Sequence, residues 1–130
     1  MIIGLDFDGT LVTHCYPSIG LDIGAFDWLK DAQRAGARFV LFTMRSGMYL
    51  DDAVQFIKRN GIELFGVNVN PEQKEWTTSP KAYCHLYIDD AALGAPLMVS
   101  GTNPRPHIDW QRAGPLMLAM LDAWMRSKYE

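Results

Sequence analysis

The chain has few cysteines, no large excess of charge of either sign and no long apolar run. Its 2 cysteines, Cys15 and Cys84, match neither a zinc-ligand spacing nor the disulfide framework of a small secreted domain, so we expect free thiols. A formal net charge of −3 provides no basic surface for a phosphate backbone, which disfavours nucleic-acid binding. No apolar run approaches the roughly 20 residues that span a bilayer, and no basic segment precedes an apolar signal region. We therefore expect no membrane contact and a cytoplasmic location.

The length and composition are typical of one soluble globular domain. A chain of 130 residues can bury a proper core without disulfides or structural metals. Its 48% hydrophobic and 21% charged residues are ordinary for such a domain. We expect a single domain over residues 1–130, without repeats or linkers.

The first twelve residues contain the most informative pattern. A short apolar run up to Leu5 predicts a buried strand, and Asp6 and Asp8 follow directly. Because residues two apart in a strand point to the same side, both carboxylates can address one ligand. Gly9 then allows a sharp turn close to that ligand. The alternative is a surface turn, since Asp and Gly are common turn residues.

Strands and helices alternate along the rest of the chain. This order predicts an α/β fold with a mainly parallel sheet. Helices are predicted over 21–35, 48–60 and 110–126, strands over 37–42, 62–69 and 84–88, a short fifth strand over 95–99, and loops over 13–20, 70–79 and 100–107.

The position of several side chains can be interpreted in two ways. His14 and Tyr16 are interpreted as loop residues packed at the domain edge, and the alternative places them over the site. Trp76 is interpreted as a core plug, that is, a ring buried in the core, and the alternative is an exposed ring on which a substrate rests. On the last helix one face is interpreted as core: Leu116, Met117, Met120, Leu121 and Trp124.

Polar side chains follow the predicted strands. Parallel strands end at one edge of a sheet, so groups far apart in sequence can converge there. Clustered carboxylates repel unless cations compensate, and oxygen-only ligands favour Mg²⁺. The polar groups are Asp6 with Asp8, Thr43 with Arg45, Lys81, and Asp89 with Asp90.

These groups together suit phosphoryl transfer. Lys81 supplies positive charge for an anionic group, and the hydroxyl of Thr43 can donate to one of its oxygens. Thr43, Arg45 and Lys81 are the predicted substrate-binding residues. One carboxylate then remains to attack as an aspartyl nucleophile.

Four ordered motifs resemble those of the haloacid dehalogenase-like (HAD) superfamily. The motifs are Asp6-Phe7-Asp8-Gly9-Thr10, Leu41-Phe42-Thr43, Lys81 and Ile88-Asp89-Asp90, and the resemblance spans roughly residues 1–95. The resemblance implies a three-layer Rossmann-like fold with a mainly parallel central sheet. It also implies a phosphoric monoester hydrolase, because an aspartate in the nucleophile position suits phosphatases.

The resemblance implies a catalytic role for four residues. Asp6 is similar to the family nucleophile that forms an aspartyl-phosphate, and Asp8 to the general acid/base. Thr43 would bind the phosphoryl group, and Lys81 would steady the nucleophile and the phosphoryl oxygens. Lys81 lies only eight residues before Asp89, so Lys74 is a rival for this position.

The resemblance also implies a Mg²⁺ site. The carboxylates of Asp6 and Asp89 and the main-chain carbonyl of Asp8 would hold the ion. Asp90 would bind it directly or through water.

The spacing between motifs leaves no room for a cap domain. Residues 13–37 hold one loop and one helix, and residues 44–81 hold a helix, a strand and a loop. The chain therefore looks like a capless member with an open site. An open site suits a macromolecular phosphorylated substrate, or a small one enclosed by loops or by a neighbouring subunit of a homo-oligomer.

Three functions compete on this pattern. The leading one is a Mg²⁺-dependent phosphatase acting on a phosphate monoester. The second is a catalytically weak phosphate-binding or regulatory module on the same fold, against which the intact Asp6, Asp8, Thr43 and Asp89 argue. The third is a receiver-like signalling domain, in which the phosphorylated Asp normally ends a middle strand rather than the first.

Overall fold

The computed structural model of the chain describes residues 1–128, and its elements follow the predicted alternation. The elements in chain order are β1 (Ile2–Leu5), α1 (Ala25–Arg34), β2 (Arg38–Leu41), α2 (Gly47–Arg59), β3 (Leu64–Val67), a 3-10 helix (Gln73–Glu75), β4 (Leu86–Ile88), β5 (Leu97–Ser100), β6 (Asn103–Ile108) and α3 (Trp110–Ser127). The first helix begins later than predicted, because Gly24 has a positive φ of 85° that is outside the helical region. None of the helices in residues 1–128 has the length and apolarity to cross a membrane.

The central sheet is parallel throughout its four strands, which confirms the predicted α/β class. The strand order is β3-β2-β1-β4, so β1 is an interior strand. Ile3 lies opposite Phe39 of β2 on one side and Leu86 of β4 on the other. The carboxyl ends of β1, β2 and β4 therefore meet at one edge of the sheet.

All three helices pack against one face of this sheet. Their buried residues join a single apolar cluster with Ile3, Leu5, Phe39 and Leu41, and α1 also contacts α3. Residues two apart in a strand share a face, so Ile2, Gly4 and Val40 belong to the opposite face.

The opposite face differs from the three-layer arrangement that the family resemblance implies. Within the described residues it is covered by the connection between β3 and β4, through Ala82 and Cys84, and not by an α-helix. Pro71 and Pro80 interrupt that connection, which forms only the short 3-10 helix.

A buried glutamine organises this connection. The Nε2 of Gln73 donates to the carbonyl oxygens of Ser79 at 3.1 Å and Lys81 at 2.8 Å. Its Oε1 accepts a hydrogen bond from the backbone N–H of Tyr83 at 2.7 Å. One side chain thus holds together the two ends of residues 73–83.

The loop predicted over residues 100–107 is wrong, because most of it is strand β6. It pairs antiparallel with β5 in a hairpin outside the central sheet. Pro104 and Pro106 are tolerated because each strand of a two-stranded sheet has an unpaired edge that needs no N–H donor. The Ile108 N–H donates to the Gly9 carbonyl at 2.9 Å, which places the hairpin beside the turn that follows β1.

Two packing predictions are also wrong. Trp76 is 64% exposed rather than a core plug, because Gln73 fills the buried side of its segment. On α3, Met117 and Leu121 are buried, but Leu116 and Met120 are exposed, so the core stripe is narrower than predicted. The two cysteines are both free, as predicted.

The imidazole of His85 links β1 to the connection before β4. Its Nδ1 accepts a hydrogen bond from the backbone N–H of Ile2 at 2.8 Å, and its ring centroid lies 4.0 Å from that of Trp124. Burial, assisted by nearby positive charges that include Lys128 and Arg38, lowers the pKa of His85 below its usual 6.5. Protonation would remove the acceptor, so the folded state requires neutral His85.

We expect the stability that His85 provides to be lost in acid. Because its pKa is lower in the folded state, the unfolded chain binds the proton first, and the free energy of unfolding falls as the pH drops below about 6.5. The control is His85→Asn, which keeps an acceptor near the Nδ1 position and does not titrate. Urea unfolding should be measured between about pH 5 and 8, the range in which histidine titrates. As the pH falls across this range, the wild type should lose stability relative to the variant. A difference between the two proteins that is independent of pH would contradict this role.

Candidate active site

The ends of β1, β2 and β4 open onto one cavity of about 520 Å³. The predicted residues come together here from three separate segments of the chain. The lining consists of Asp6 and Asp8 after β1, Thr43 and Arg45 after β2, Asp89 and Asp90 after β4, and also His14, Tyr16, Met44, Ala91 and Arg105.

Lys81 lies on an adjacent cavity of about 240 Å³, which Asp6 and Asp89 also line. Its Nζ is 5.4 Å from the ring centroid of Tyr87, within the range of a cation–π contact. The rival Lys74 lies in the 3-10 helix. Lys81 is thus the lysine that shares a cavity with Asp6.

Three carboxylates form an acidic trio: Asp6, Asp89 and Asp90. One oxygen of each lies within 4.8 Å of the others. Burial, the hydrogen bond with Asp90 and the charge of Asp89 together raise the pKa of Asp6 to about 8. The Thr10 hydroxyl donates to Oδ2 of Asp6 at 2.9 Å, which opposes this rise only in part. The trio therefore has an excess of negative charge that a cation or a proton relieves.

The donor set of the trio fits Mg²⁺. All three groups offer carboxylate oxygen, which is the ligand this ion prefers. Ligands about 2.1 Å from an octahedral ion lie roughly 3–4 Å from one another, so the observed spacing requires little closure. The carboxylate of Asp8 is not part of the trio. This is compatible with the prediction that Asp8 would use its main-chain carbonyl.

Arg45 has a different task from the substrate contact predicted for it. Its guanidinium forms a bidentate pair with Asp8, with Nε to Oδ2 at 2.8 Å and one terminal nitrogen to Oδ1 at 2.7 Å. The terminal nitrogens also donate to the carbonyl oxygens of Pro17, Ser18 and Tyr49. All five N–H groups of a guanidinium are thereby used. The residue is 3% exposed, and its bond to Asp8 raises the pKa of Arg45 further.

The hydroxyl of Thr43 retains a free hydrogen for a ligand. Its Oγ1 accepts the N–H of Arg45 at 3.1 Å, which leaves the O–H able to donate. The backbone N–H of Thr43 donates to Oδ1 of Asn68 at 2.8 Å, which fixes the end of β2 against the end of β3. Thr43 is therefore well placed to contact an oxygen of a bound anion.

His14 contacts the site, so its interpretation as a domain-edge residue is wrong. Its Nε2 lies 2.7 Å from Oδ2 of Asp90, and it lines the main cavity. Gly9 makes room for this contact, because a Cβ there would lie 2.0 Å from the same nitrogen. Tyr16 also lines the cavity, with its ring centroid 5.2 Å from the Cζ of Arg45.

Sequence reasoning did not identify Arg105 as a site residue. It projects from β6 to the lining of the main cavity and is exposed. Asn103 supports this wall, since its Nδ2 donates to the carbonyl of His14 at 2.9 Å. The sequence around Arg105, which lies between two prolines, has no local pattern that indicates a site residue. Only the hairpin brings residue 105 to the edge of the central sheet.

No protein-family model matches the chain, and no curated protein matches it. Among solved structures it is similar to a conserved protein from Bacteroides thetaiotaomicron. The two are 38% identical over 72% of this chain and 78% of that chain, with a TM-score of 0.66. At this identity and coverage the two proteins belong to one family. That relative has no stated activity, so the resemblance to the HAD superfamily stays a prediction.

We expect the Arg45 and Asp8 pair to be a major source of stability. The variant Arg45→Met keeps the length of the side chain but leaves Asp8 and three carbonyl oxygens without their donors. Breaking a buried pair in this way typically costs about 3–5 kcal/mol of unfolding free energy. Urea unfolding at neutral pH measures the loss.

Arg34→Met is the matched control, because Arg34 pairs with Asp31 on the exposed side of α1. Surface pairs contribute little, so this variant should unfold close to the wild type. Equal losses in the two variants would show that burial of Arg45 has no special effect.

Proposed function

We propose that this protein is a Mg²⁺-dependent phosphatase that hydrolyses a phosphate monoester through an aspartyl-phosphate on Asp6. One observation carries the proposal: the two aspartates after β1 have different surroundings. Asp6 belongs to the acidic trio, whereas Asp8 is paired with Arg45. Neighbouring carboxylates in different environments suit different roles, here those of nucleophile and proton carrier.

The architecture supports a capless HAD-like assignment. The parallel sheet has β1 inside it, and the carboxylates lie at the carboxyl ends of the strands. The segment between β1 and α1, residues 6–24, and the connection of residues 68–85 are both too short to contain a cap domain.

The first step is transfer of the phosphoryl group to the protein. A carboxylate oxygen of Asp6 attacks phosphorus, and the bond between phosphorus and the ester oxygen breaks. Thr43 donates its hydroxyl hydrogen to a phosphoryl oxygen, and Lys81 approaches from the adjacent cavity. Asp6, Asp89 and Asp90 would hold Mg²⁺, whose chemistry is to neutralise charge on these oxygens.

The second step returns the nucleophile. Asp8 takes a proton from water, the water oxygen attacks phosphorus, and the bond between phosphorus and Asp6 breaks to release inorganic phosphate. Both carboxylate oxygens of Asp8 accept hydrogen bonds from Arg45, so gaining a proton requires one of these bonds to open. The proton that Asp8 takes from water in this step is the proton that it gives to the leaving oxygen in the first step of the next cycle.

A catalytically weak phosphate-binding or regulatory module is the second candidate. The observation that favours it is the same bidentate pair, because both oxygens of Asp8 already accept hydrogen bonds. Turnover of p-nitrophenyl phosphate with Mg²⁺ distinguishes the two, since only a phosphatase releases p-nitrophenol.

We expect the activity to require Mg²⁺ and to disappear in EDTA. Asp89→Ala should raise the Mg²⁺ concentration for half-maximal activity by about 10-fold or more, because even outer partners of a metal typically contribute 10–100-fold. Asp31→Ala, on the exposed side of α1, is the control and should not change it. Full activity in EDTA would refute the metal requirement.

The two aspartates after β1 should fail differently when mutated. Asp6→Asn removes the nucleophile, so neither phosphoenzyme nor turnover should remain. Asp8→Asn should still form the phosphoenzyme from p-nitrophenyl phosphate but hydrolyse it about 10²–10⁴-fold more slowly. Intact-mass spectrometry after rapid quenching would then show an adduct of about 80 Da, the mass of one phosphoryl group. Wild-type turnover by Asp6→Asn, or a phosphoryl adduct on Asp8, would contradict the roles proposed for the two aspartates.

A further inference from the structure

Four aromatic side chains remain exposed on the sheet face that no α-helix of residues 1–128 covers. They are Phe42, Trp76, Tyr83 and Tyr87. Together with Lys81 they form what we call the aromatic groove. Contiguous exposed apolar surface of this kind on a soluble domain marks a binding site more often than scattered single residues do.

The aromatic groove continues directly from the nucleophile. Asp6, Phe42, Lys81 and Tyr87 line the cavity of about 240 Å³, and Lys81 and Tyr87 also line a second cavity of about 290 Å³ with Trp76 and Tyr83. Each cavity alone is smaller than the roughly 300–1,000 Å³ of small-molecule sites, but the two joined fall within that range. One ligand therefore fits along both, with one end at Asp6.

The inner half of the aromatic groove is rigid. The Tyr87 hydroxyl donates to the carbonyl of Ala82 at 2.7 Å and accepts the N–H of Cys84 at 3.1 Å. Gly4 makes room for this ring, because a Cβ there would lie 3.0 Å from both Cys84 Sγ and Tyr87 Cδ1. Tyr87 is thus fixed beside Asp6 before any ligand arrives.

The outer half is held as firmly. Trp76 and Tyr83 pack edge to face, with ring centroids 5.4 Å apart and an interplanar angle of 87°. Gln73 binds the backbone of both Lys81 and Tyr83. A preorganised aromatic surface binds a flat ring at low entropic cost.

We propose that the aromatic groove binds the leaving group of the substrate, and that this leaving group carries a flat ring of the nucleobase type, as in a nucleoside monophosphate. The inference rests on the proposed phosphatase function. The phosphate lies at Asp6 beside Lys81, and the ring stacks on Trp76 with its edge towards Tyr83, whose plane is nearly perpendicular to that of Trp76.

Charge favours a single nucleotide over a polymer. Lys81 is the one cation among the described residues that line the aromatic groove, and the chain has a net charge of −3. A nucleic-acid strand requires several phosphate contacts from basic residues, whereas stacking works for any base.

The test compares AMP with ribose 5-phosphate, which is the same ester without the base. With Mg²⁺ present, kcat/KM should be about 10-fold or more higher for AMP, since stacking on one aromatic side chain is worth at least that order. Trp76→Ala should raise KM for AMP by a similar factor, leave kcat within about two-fold and leave ribose 5-phosphate unaffected. Trp76→Phe should restore KM, because it keeps a ring.

Val99→Ala is the matched control, since Val99 is 54% exposed on β5, in the hairpin outside the central sheet, and lines neither cavity of the aromatic groove. It should behave as the wild type with both esters. Equal kcat/KM for the two esters, or a Trp76→Ala variant that keeps the preference for AMP, would overturn the inference while leaving the phosphatase function intact.

A binding measurement separates failure of the inference from failure of the function. Calorimetric titration of Asp6→Asn with each ester reports affinity without turnover. Tighter binding of AMP that Trp76→Ala removes supports the aromatic groove even where neither ester is hydrolysed. Equal binding of AMP and ribose 5-phosphate overturns it.

Discussion

The buried guanidinium of Arg45 joins the segments from which the site is built. It reaches Asp8 in the turn after β1, Pro17 and Ser18 in the following loop, and Tyr49 in the first turns of α2. A buried cation must satisfy all its donors, and this arrangement of loops provides five acceptors. The geometry of the cavity therefore depends on the side chain of Arg45, although all its N–H groups are already used within the protein.

This pairing also sets the electrostatics of the remaining carboxylates. Asp8 is neutralised by Arg45, whereas among the ion pairs of residues 1–128 no lysine or arginine is paired with the acidic trio, and Asp90 contacts the imidazole of His14. Negative charge thus accumulates at one point, and burial, the hydrogen bond with Asp90 and the charge of Asp89 together raise the pKa of Asp6. A site of this kind attracts a hard cation, which is the basis for assigning Mg²⁺ to it in the proposal.

The two faces of the sheet have different consequences. On one face three helices bury the strands in a continuous core, which makes the edge with the carboxylates rigid. On the other face the connection of residues 68–85 covers only part of the sheet, so Phe42 and Tyr87 remain exposed next to Asp6. Within residues 1–128 no α-helix covers this face, in contrast to the three-layer prediction, and this leaves an aromatic surface beside Asp6.

Much of the fold was predictable from local pattern. The apolar runs around Ile3, Phe39 and Tyr87 specify strands because β-rich segments with polar ends have few other ways to bury their side chains. The hairpin strand β6 was missed because Pro104 and Pro106 argue against a strand wherever both edges are paired, and the sequence does not show that one edge is free. Trp76 was misread because hydrophobicity alone does not distinguish a core residue from an exposed binding surface.

By itself, the sequence determined which residues end the strands and hence that Asp6, Asp8, Thr43, Asp89 and Asp90 would meet, because parallel strands bring their carboxyl ends to one edge. Only the tertiary structure decided how those groups are paired. Arg45 binds Asp8 rather than a ligand, and His14 and Arg105 join the cavity, through contacts between residues 37 to 89 positions apart. Such contacts depend on how loops close over the sheet, and loop closure is governed by long-range packing that leaves no periodic signal in the chain.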